Sequence, residues 1–198
     1  MVQRFNKICA ILGMRGSGKT EYLKGNSKLN LPGLLKAYLA AGKKVLIVDT
    51  IDHPSYSDIP VIKKEQIKGW KKGAYRIFVP IHEMDELLTI IAEHFKGGVV
   101  VFEDARKYCL KYIPKPILRL IGDSKQFDVD IVFMFHSFSH MPKDLYSYIE
   151  IFQLFKTKIH PRCRKDELGG DYDEVCRVYD LVQANENPFY NLSIDLAA

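Results

Sequence analysis

A glycine-rich stretch near the start of the chain, ILGMRGSGKTEYLK at residues 11–24, has the residue types and spacing that bind nucleotide phosphates. Gly13, Gly18, Lys19 and Thr20 complete the pattern G-x-x-x-x-G-K-[ST] of a phosphate-binding loop, or P-loop. Glycines, including Gly16, let the backbone curl until its N–H groups point at phosphate oxygens. The lysine would reach the β- and γ-phosphates of ATP, and the threonine hydroxyl would ligate Mg²⁺. The stretch therefore predicts a site for ATP and Mg²⁺.

Two other residues of this loop are candidate nucleotide contacts. Ser17 lies between the last two glycines, and Arg15 could contact a phosphate bound to its own subunit. The short apolar run KICAIL at 7–12 precedes the loop, and EYLKGNSKL, which is compatible with a helix start, follows it. A strand, a glycine loop and a helix are the context that a P-loop requires, so we prefer this interpretation to a glycine-rich turn with a chance lysine.

Two apolar runs that end in acidic residues offer carboxylates for the nucleotide. VLIVDT contains Asp49, and VVVFED ends in Glu103 and Asp104. Adjacent carboxylates can divide the work, because one can hold Mg²⁺ while the other activates the attacking water as a general base. We therefore favour Glu103 as the metal residue and Asp104 as the base. Asp49 would be the metal residue in an alternative, kinase-type site.

The next apolar run ends FMFHSFSH and supplies a candidate sensor of the γ-phosphate. A polar side chain at the tip of a strand beside the acidic strand can touch the γ-phosphate or the attacking water. His136 is our first choice and Ser137 the second. The structural alternative is a histidine at a strand end that faces solvent.

The elements that must position these residues alternate between strand and helix patterns, which predicts an α/β domain with a mainly parallel sheet. The expected strands are 7–12, 43–50, 75–80, 98–104, 130–137 and 148–157, with 187–196 as a further candidate. The expected helices are 19–26, 32–41, 83–95, 116–126 and 173–183. The segment 51–73 has no regular pattern, and we expect it to loop over one end of the sheet.

Length and composition favour one domain over residues 1–198, with a core at 7–157 and an appendage at 158–198. Hydrophobic residues make up 47% of the chain, yet no apolar run approaches the roughly 18 residues of a membrane span. The start MVQRFNK lacks the apolar region of a signal peptide. We therefore expect a soluble, intracellular protein.

Basic residues are concentrated in two stretches, although the net charge is only +5. Residues 105–125 hold six basic residues against Asp123, and residues 156–165 hold five without an acid. Such clusters on a P-loop domain indicate a polyanionic partner, whereas a solvated surface is the ordinary alternative.

The order of these motifs resembles the FtsK–HerA superfamily of DNA-pumping ATPases. The resemblance covers about residues 7–157 and rests on the P-loop, the strand ending at Asp49, YRIFVP, VVVFEDARKY and DIVFMFHSFSHMPKDL. The compact size is similar to genome-packaging ATPases of membrane-containing and related viruses. The chain also resembles the cytoplasmic domain of zonula-occludens-toxin-like phage assembly proteins. Members commonly carry Asp-Glu and often a sensor Gln, so Glu103-Asp104 and His136 depart from the pattern.

The resemblance implies a RecA-like P-loop NTPase fold and a ring, usually of six subunits, in which a neighbour's arginine completes each site. Arg119 is the first choice for that arginine because it lies on the basic helix between the acidic and sensor strands. Arg162 and Arg164 follow. A packaging motor would also dock on a capsid vertex or a membrane protein. The resemblance, together with the basic clusters, implies an ATPase that translocates DNA and packages a viral genome. We expect the partner to be double-stranded DNA, bound without sequence preference through its phosphates. Such a protein would be soluble in the host cytoplasm or associated with the virion.

Three other functions stay open on the sequence alone. A filamentous-phage extrusion ATPase belongs to the same superfamily. A small-molecule kinase would use Asp49 for the metal and an arginine-rich lid near 160–165. A scaffold protein would bind the nucleotide without turnover.

Overall fold

A computed structural model describes residues 6–29, 31, 33–49 and 51–196. Within these ranges the strands are β1 (Ile8–Leu12), β2 (Lys44–Asp49), β3 (Ala74–Phe78), β4 (Gly98–Phe102), β5 (Val129–Phe135), β6 (Ile151–Phe155) and β7 (Asn191–Asp195). The helices are α1 (Lys19–Lys24), α2 (Leu34–Ala40), α3 (Met84–His94), α4 (Lys115–Phe127), α5 (Lys165–Leu168) and α6 (Tyr172–Ala184). Every predicted helix and strand has a counterpart. Pro32 and Thr50, at the ends of two of them, lie outside the described ranges, as do residues 1–5, 30, 197 and 198.

The strands form one sheet in the order β3-β2-β4-β5-β1-β6-β7. All neighbours pair in parallel except β7, which runs antiparallel to β6. The prediction of an α/β fold with a mainly parallel sheet is therefore confirmed. β5 lies between the P-loop strand β1 and the acidic strand β4, and β2 lies beyond β4. Polar residues that follow β1, β4 and β5 thus reach the same edge of the sheet.

Burial on both faces explains the nearly continuous apolar strands at the sheet centre. Along β4, Val99 and Val101 face one side, while Val100 and Phe102 face the other. The first face packs against α1 and α2, and the second packs against α3, α4 and α6. α3 and α4 repeat apolar residues at helical spacing, so that each buries one stripe and leaves its charged side in water. None of the helices in the described part of the chain combines the length and apolar character of a membrane span.

The segment 51–73 covers more than one end of the sheet, which corrects the expectation for it. A short 3₁₀ turn (Pro54–Tyr56) does lie at the carboxyl edge, near β4. The chain then returns along the outer edge of β3, where Val61 forms a parallel bridge with Arg76. The Arg76 guanidinium pairs with Asp52, and its Nε donates to the Ile59 carbonyl at 3.0 Å. The segment therefore shields an edge strand that would otherwise expose its backbone.

Gly98 generates a stability prediction, because β2 passes close to it at the start of β4. A Cβ atom added at this position would lie 2.2 Å from the Lys44 carbonyl oxygen. This clash is hard to relieve, because β2 and β4 are paired and their backbones cannot easily move apart. We expect Gly98→Ala to lower the free energy of unfolding by about 1–3 kcal/mol. Gly122, inside α4 with open space around it, is the matched control. Gly122→Ala should raise the stability by roughly 0.5–1 kcal/mol. Urea denaturation of both variants checks this, and equal midpoints would contradict the packing account.

Candidate nucleotide site

The P-loop occupies the gap between the carboxyl ends of β5 and β6. The Gly13 N–H donates to the Phe135 carbonyl at 3.1 Å, and the Met14 N–H donates to the Lys156 carbonyl at 2.8 Å. The loop then turns through Gly16 and Gly18, whose φ angles of 79° and 93° suit glycine. Beneath the loop, a Cβ at position 13 would lie 2.5 Å from Oγ of the buried Ser17. The sequence pattern thus reflects backbone geometry and close packing.

Lys19 is buried within the loop, at 8% exposure. Its ammonium donates to the Gly13 carbonyl at 2.6 Å and to the Met14 carbonyl at 3.1 Å. Burial lowers the pKa of Lys19, and the nearby carboxylates of Glu103 and Asp104 oppose that shift. The Lys19 ammonium is therefore hydrogen-bonded to neutral carbonyl groups, and it lies across the site from Glu103 and Asp104.

A cavity of 260 Å³ brings most of the predicted site residues together. Its walls come from the P-loop and the start of α1, from the ends of β2, β4 and β5, and from the segment after β2. The lining residues are Arg15, Gly16, Gly18, Lys19, Thr20, Glu21, Asp49, Ile51, His53, Ser55, Glu103, Asp104, Lys107 and His136. Its volume and mixed polarity suit the polyphosphate part of a nucleotide.

Glu103 follows β4 and is held by Tyr56, a residue that the sequence analysis missed. The Tyr56 hydroxyl donates to Oε2 of Glu103 at 2.9 Å, and the tyrosine is fully buried. Burial raises the pKa of Glu103 to about 7, although the Tyr56 hydrogen bond and the Lys19 charge act in the opposite direction. A buried tyrosine hydroxyl usually finds a partner, but nothing in the pattern of 51–73 indicates that this partner is Glu103.

Asp104 starts the turn after β4 in the left-handed region, with a φ of 44°. One carboxylate oxygen lies 3.7 Å from Nε2 of His136, and the other lies 3.2 Å from Nζ of Lys107. Burial lowers the pKa of His136, the Lys19 charge lowers it further, and Asp104 opposes the shift. The predicted base and the predicted sensor are thus neighbours, although they follow different strands. Ser137, the second choice as sensor, is buried and contacts Ser139 instead of lining the cavity.

Asp49 also reaches the cavity, but its carboxylate is engaged by the backbone. It accepts weak hydrogen bonds from the Ile51 N–H at 3.3 Å and the His53 N–H at 3.4 Å. Only 1% of the residue is exposed. Because these bonds begin the segment that carries Tyr56, Asp49 has a structural role at the edge of the site.

The candidate arginines lie in different surroundings. Arg15 is exposed on the loop and lines the cavity. Arg119 lies outside the cavity, on the exposed side of α4, with Nη1 3.0 Å from Glu93 and Nε 3.8 Å from Asp123. Arg162 is exposed. Arg164 is partly buried and donates to the Ser139 and Met141 carbonyls, so it fixes the loop after β5.

Comparison with known proteins identifies the fold. No protein-family model matches the chain, and no curated protein matches it. Among solved structures, the chain is similar to the genome-packaging NTPase B204 of Sulfolobus turreted icosahedral virus 2 bound to ATPγS. The TM-score is 0.70 at 13% identity, over 96% of this chain and 92% of that chain. This chain therefore has the same fold as that packaging NTPase.

Two other solved structures have a similar fold. The DNA-packaging ATPase B204 of Sulfolobus turreted icosahedral virus gives a TM-score of 0.66 at 15% identity, over 98% of this chain and 94% of that chain. ATPase domains 2 and 3 of EssC from Geobacillus thermodenitrificans give 0.53 at 11% identity, over 96% of this chain and 38% of that chain. The resemblance proposed from the sequence is thereby confirmed for the fold, and the roles of the individual residues stay predictions.

The position of Lys19 generates a binding prediction. We expect Lys19→Ala to weaken ATP binding by about 30-fold or more, because an ammonium that pairs with buried phosphate charge is lost. Lys36→Ala, at an exposed position on α2, removes the same charge away from the cavity and should bind ATP as the native protein does. Calorimetric titration with MgATP measures both. Native affinity in Lys19→Ala would contradict the assignment of the site.

Proposed function

We propose that this protein is an ATP-hydrolysing motor that translocates double-stranded DNA, of the kind that packages viral genomes. One observation carries the proposal: the P-loop lysine, the acid pair and His136 line a single cavity. The likeness in fold to packaging NTPases supports it. The strand order adds support, because the strand between β1 and β4 is the arrangement we associate with ATPases that carry an extra catalytic acid.

The P-loop backbone binds the phosphates in this proposal, and Lys19 exchanges its carbonyl partners for the β- and γ-phosphates. Thr20 and Glu103 would hold Mg²⁺, since both line the cavity and offer the oxygen donors that this ion prefers. The described residues contain no cluster of three or more His, Cys, Asp or Glu side chains that could hold a metal. Mg²⁺ needs none, because it keeps waters and substrate phosphates as ligands and neutralises developing charge.

Asp104 is the proposed base and accepts the proton of the attacking water. His136, whose pKa is lowered, stays neutral near pH 7 and donates a hydrogen bond to the water or the γ-phosphate. The pKa of about 7 at Glu103 also suits a general base, so the two acids could exchange roles. The variants Asp104→Asn and Glu103→Gln decide which of the two acids is the base.

The loop between β4 and α4, residues 105–114, is the proposed DNA contact. It follows Asp104 directly, and the sequence from 105 to the first residue of α4 has four basic residues and no acid. Leu110 and Tyr112 are 72% and 67% exposed, while Cys109 and Ile113 anchor the loop in the core. Nζ of Lys111 lies 5.3 Å from the centroid of the Tyr112 ring. Lysines on the exposed part of this loop suit contact with the phosphates of a duplex.

In this proposal the protein assembles into a ring of six subunits, which would let a neighbour's arginine stabilise the transition state. Arg119 stays the first choice, and it would have to exchange Glu93 and Asp123 for the neighbour's γ-phosphate. Arg164 is less suited because it holds the loop after β5. Docking on a capsid vertex or a membrane protein belongs to the same proposal.

ATPase assays with and without double-stranded DNA, alongside mass measurement in solution, test the proposed motor. Turnover that DNA leaves unchanged in an assembled ring would refute translocation.

The acids provide the next prediction. Asp104→Asn should bind ATP normally but lose hydrolysis by at least about 100-fold, since an amide cannot accept the proton. Glu103→Gln should slow turnover and raise the Mg²⁺ concentration that half-saturates it. If Glu103→Gln instead loses all turnover but binds ATP with the native Mg²⁺ dependence, while Asp104→Asn is active, the two roles are exchanged. Asp49→Asn is the third arm, and a loss confined to it would favour the kinase alternative.

DNA binding provides a further prediction. Lys111→Ala/Lys115→Ala should reduce the slope of log affinity against log salt by roughly 2, because two phosphate contacts are lost. Lys71→Ala/Lys72→Ala removes equal charge from the exposed segment beside β3 and should leave the slope unchanged. Fluorescence anisotropy with a labelled duplex at several salt concentrations measures both. Equal losses in the two variants would mean that net charge, and not the β4–α4 loop, governs binding.

A further inference from the structure

The segment between α6 and β7, residues 185–190, lies against the P-loop and has no part in the chemistry described above. A Cβ atom added at Gly18 would lie 2.9 Å from Cδ1 of Phe189 and 3.7 Å from its Cβ and Cγ. The aromatic side chain therefore contacts the backbone of the phosphate-binding loop. Phe189 is only partly buried, so part of its surface is available to a ligand.

Hydrogen bonds from asparagine side chains give the segment a fixed course. Oδ1 of Asn185 accepts from the Asn187 N–H at 2.9 Å, and Oδ1 of Asn187 accepts from the Phe189 N–H at 2.9 Å. Nδ2 of Asn191 donates to the Phe189 carbonyl at 2.9 Å. Successive turns of this kind hold the chain without a helix or a sheet, and they fix the backbone on both sides of the ring.

The same segment is tied to the elements that hold the phosphates. The Tyr22 hydroxyl on α1 donates to Oε1 of Gln153 at 3.1 Å, and Nε2 of Gln153 donates to Oδ1 of Asn191 at 2.7 Å. Gln153 is 5% exposed, so this link is shielded from water. Nζ of Lys156 donates to the Asn185 carbonyl, while the Lys156 carbonyl accepts from the P-loop. Phe189 is thus positioned relative to the P-loop from two directions.

The order of the strands gives the direction in which a bound nucleotide must run. Glu103 and His136 lie on the β4–β5 side of β1, and the γ-phosphate has to lie there to be attacked. The α-phosphate, the ribose and the base then extend away from the acids, toward β6 and β7. Phe189 lies two residues before the start of β7 and touches the P-loop on that side.

We propose that the Phe189 ring packs against the base of the bound nucleoside triphosphate. The inference rests on the proposed function, and it adds the subsite for the part of the ligand that the cavity at the acids does not hold. Stacking uses the π face that every base has, so Phe189 supplies affinity with little discrimination between adenine and guanine. An aromatic contact of this type is worth on the order of tenfold in affinity.

The experiment compares ATP with ribose 5-triphosphate, which has the same phosphates and sugar but lacks the base. Calorimetry with Mg²⁺ should show that the native protein binds ATP on the order of tenfold more tightly. Phe189→Leu should lose that advantage and bind ribose 5-triphosphate as the native protein does. Phe189→Tyr keeps a ring and should keep the advantage. Phe127→Leu, at a partly buried phenylalanine at the end of α4, is the matched control and should bind both ligands normally.

Other results would contradict either the base contact or the proposed function. Equal native affinity for the two ligands refutes a base contact without any variant. A Phe189→Leu protein that keeps the preference for ATP also refutes it, and one that weakens both ligands equally shows that the ring only supports the P-loop. If the native protein binds neither ligand, the proposed function fails together with the inference. Loss of the base preference alone leaves the phosphate site standing and assigns the base to Phe189.

Discussion

Two backbone hydrogen bonds, from Gly13 to Phe135 and from Met14 to Lys156, determine where the site can be. They fix the start of the P-loop to the ends of β5 and β6, so that the loop has one neighbour on each side. The β5 side leads to His136 and, one strand further, to Glu103. The β6 side leads to the segment that carries Phe189. In the proposed function, the β5 side is the reactive side of the site and the β6 side is where the base binds.

Burial sets the electrostatics of the reactive side. Lys19 loses water and is held by loop carbonyls, and Glu103 loses water and is held by Tyr56. Each of these hydrogen bonds offsets part of the cost of burying a polar group. Because the Lys19 and Glu103 charges lie across one cavity, each opposes the pKa shift that burial imposes on the other. A bound polyphosphate would add negative charge beside Lys19 and favour its ammonium form.

The sequence predicted the features that depend on local pattern or on strand ends. The apolar runs and helical stripes placed the strands and all helices except the short α5 to within a few residues in the described part of the chain. Parallel pairing then explains why Asp104 and His136 meet. Tyr56 could not be predicted in this way, since its partner is 47 residues away and its segment has no periodicity. The contact of Phe189 with Gly18 spans a still longer stretch of chain. The backbone role of Asp49 depends on a turn that the strand pattern does not encode.

Asp104 joins the reactive site to the proposed DNA contact through a single backbone position. Its left-handed conformation is costly for a residue with a side chain, and such conformations persist where the surroundings hold them. Here the carboxylate lies between His136 and Lys107, and Lys107 belongs to the β4–α4 loop. Proton uptake by Asp104 would weaken its attraction to Lys107 while the γ-phosphate leaves the other side of the cavity. The anchors Cys109 and Ile113 limit how far the loop can move, so a change at Asp104 acts chiefly on Lys107 and the exposed residues around it. In the proposed motor, hydrolysis and the grip on DNA are therefore coupled over a few residues, without a rearrangement of the sheet.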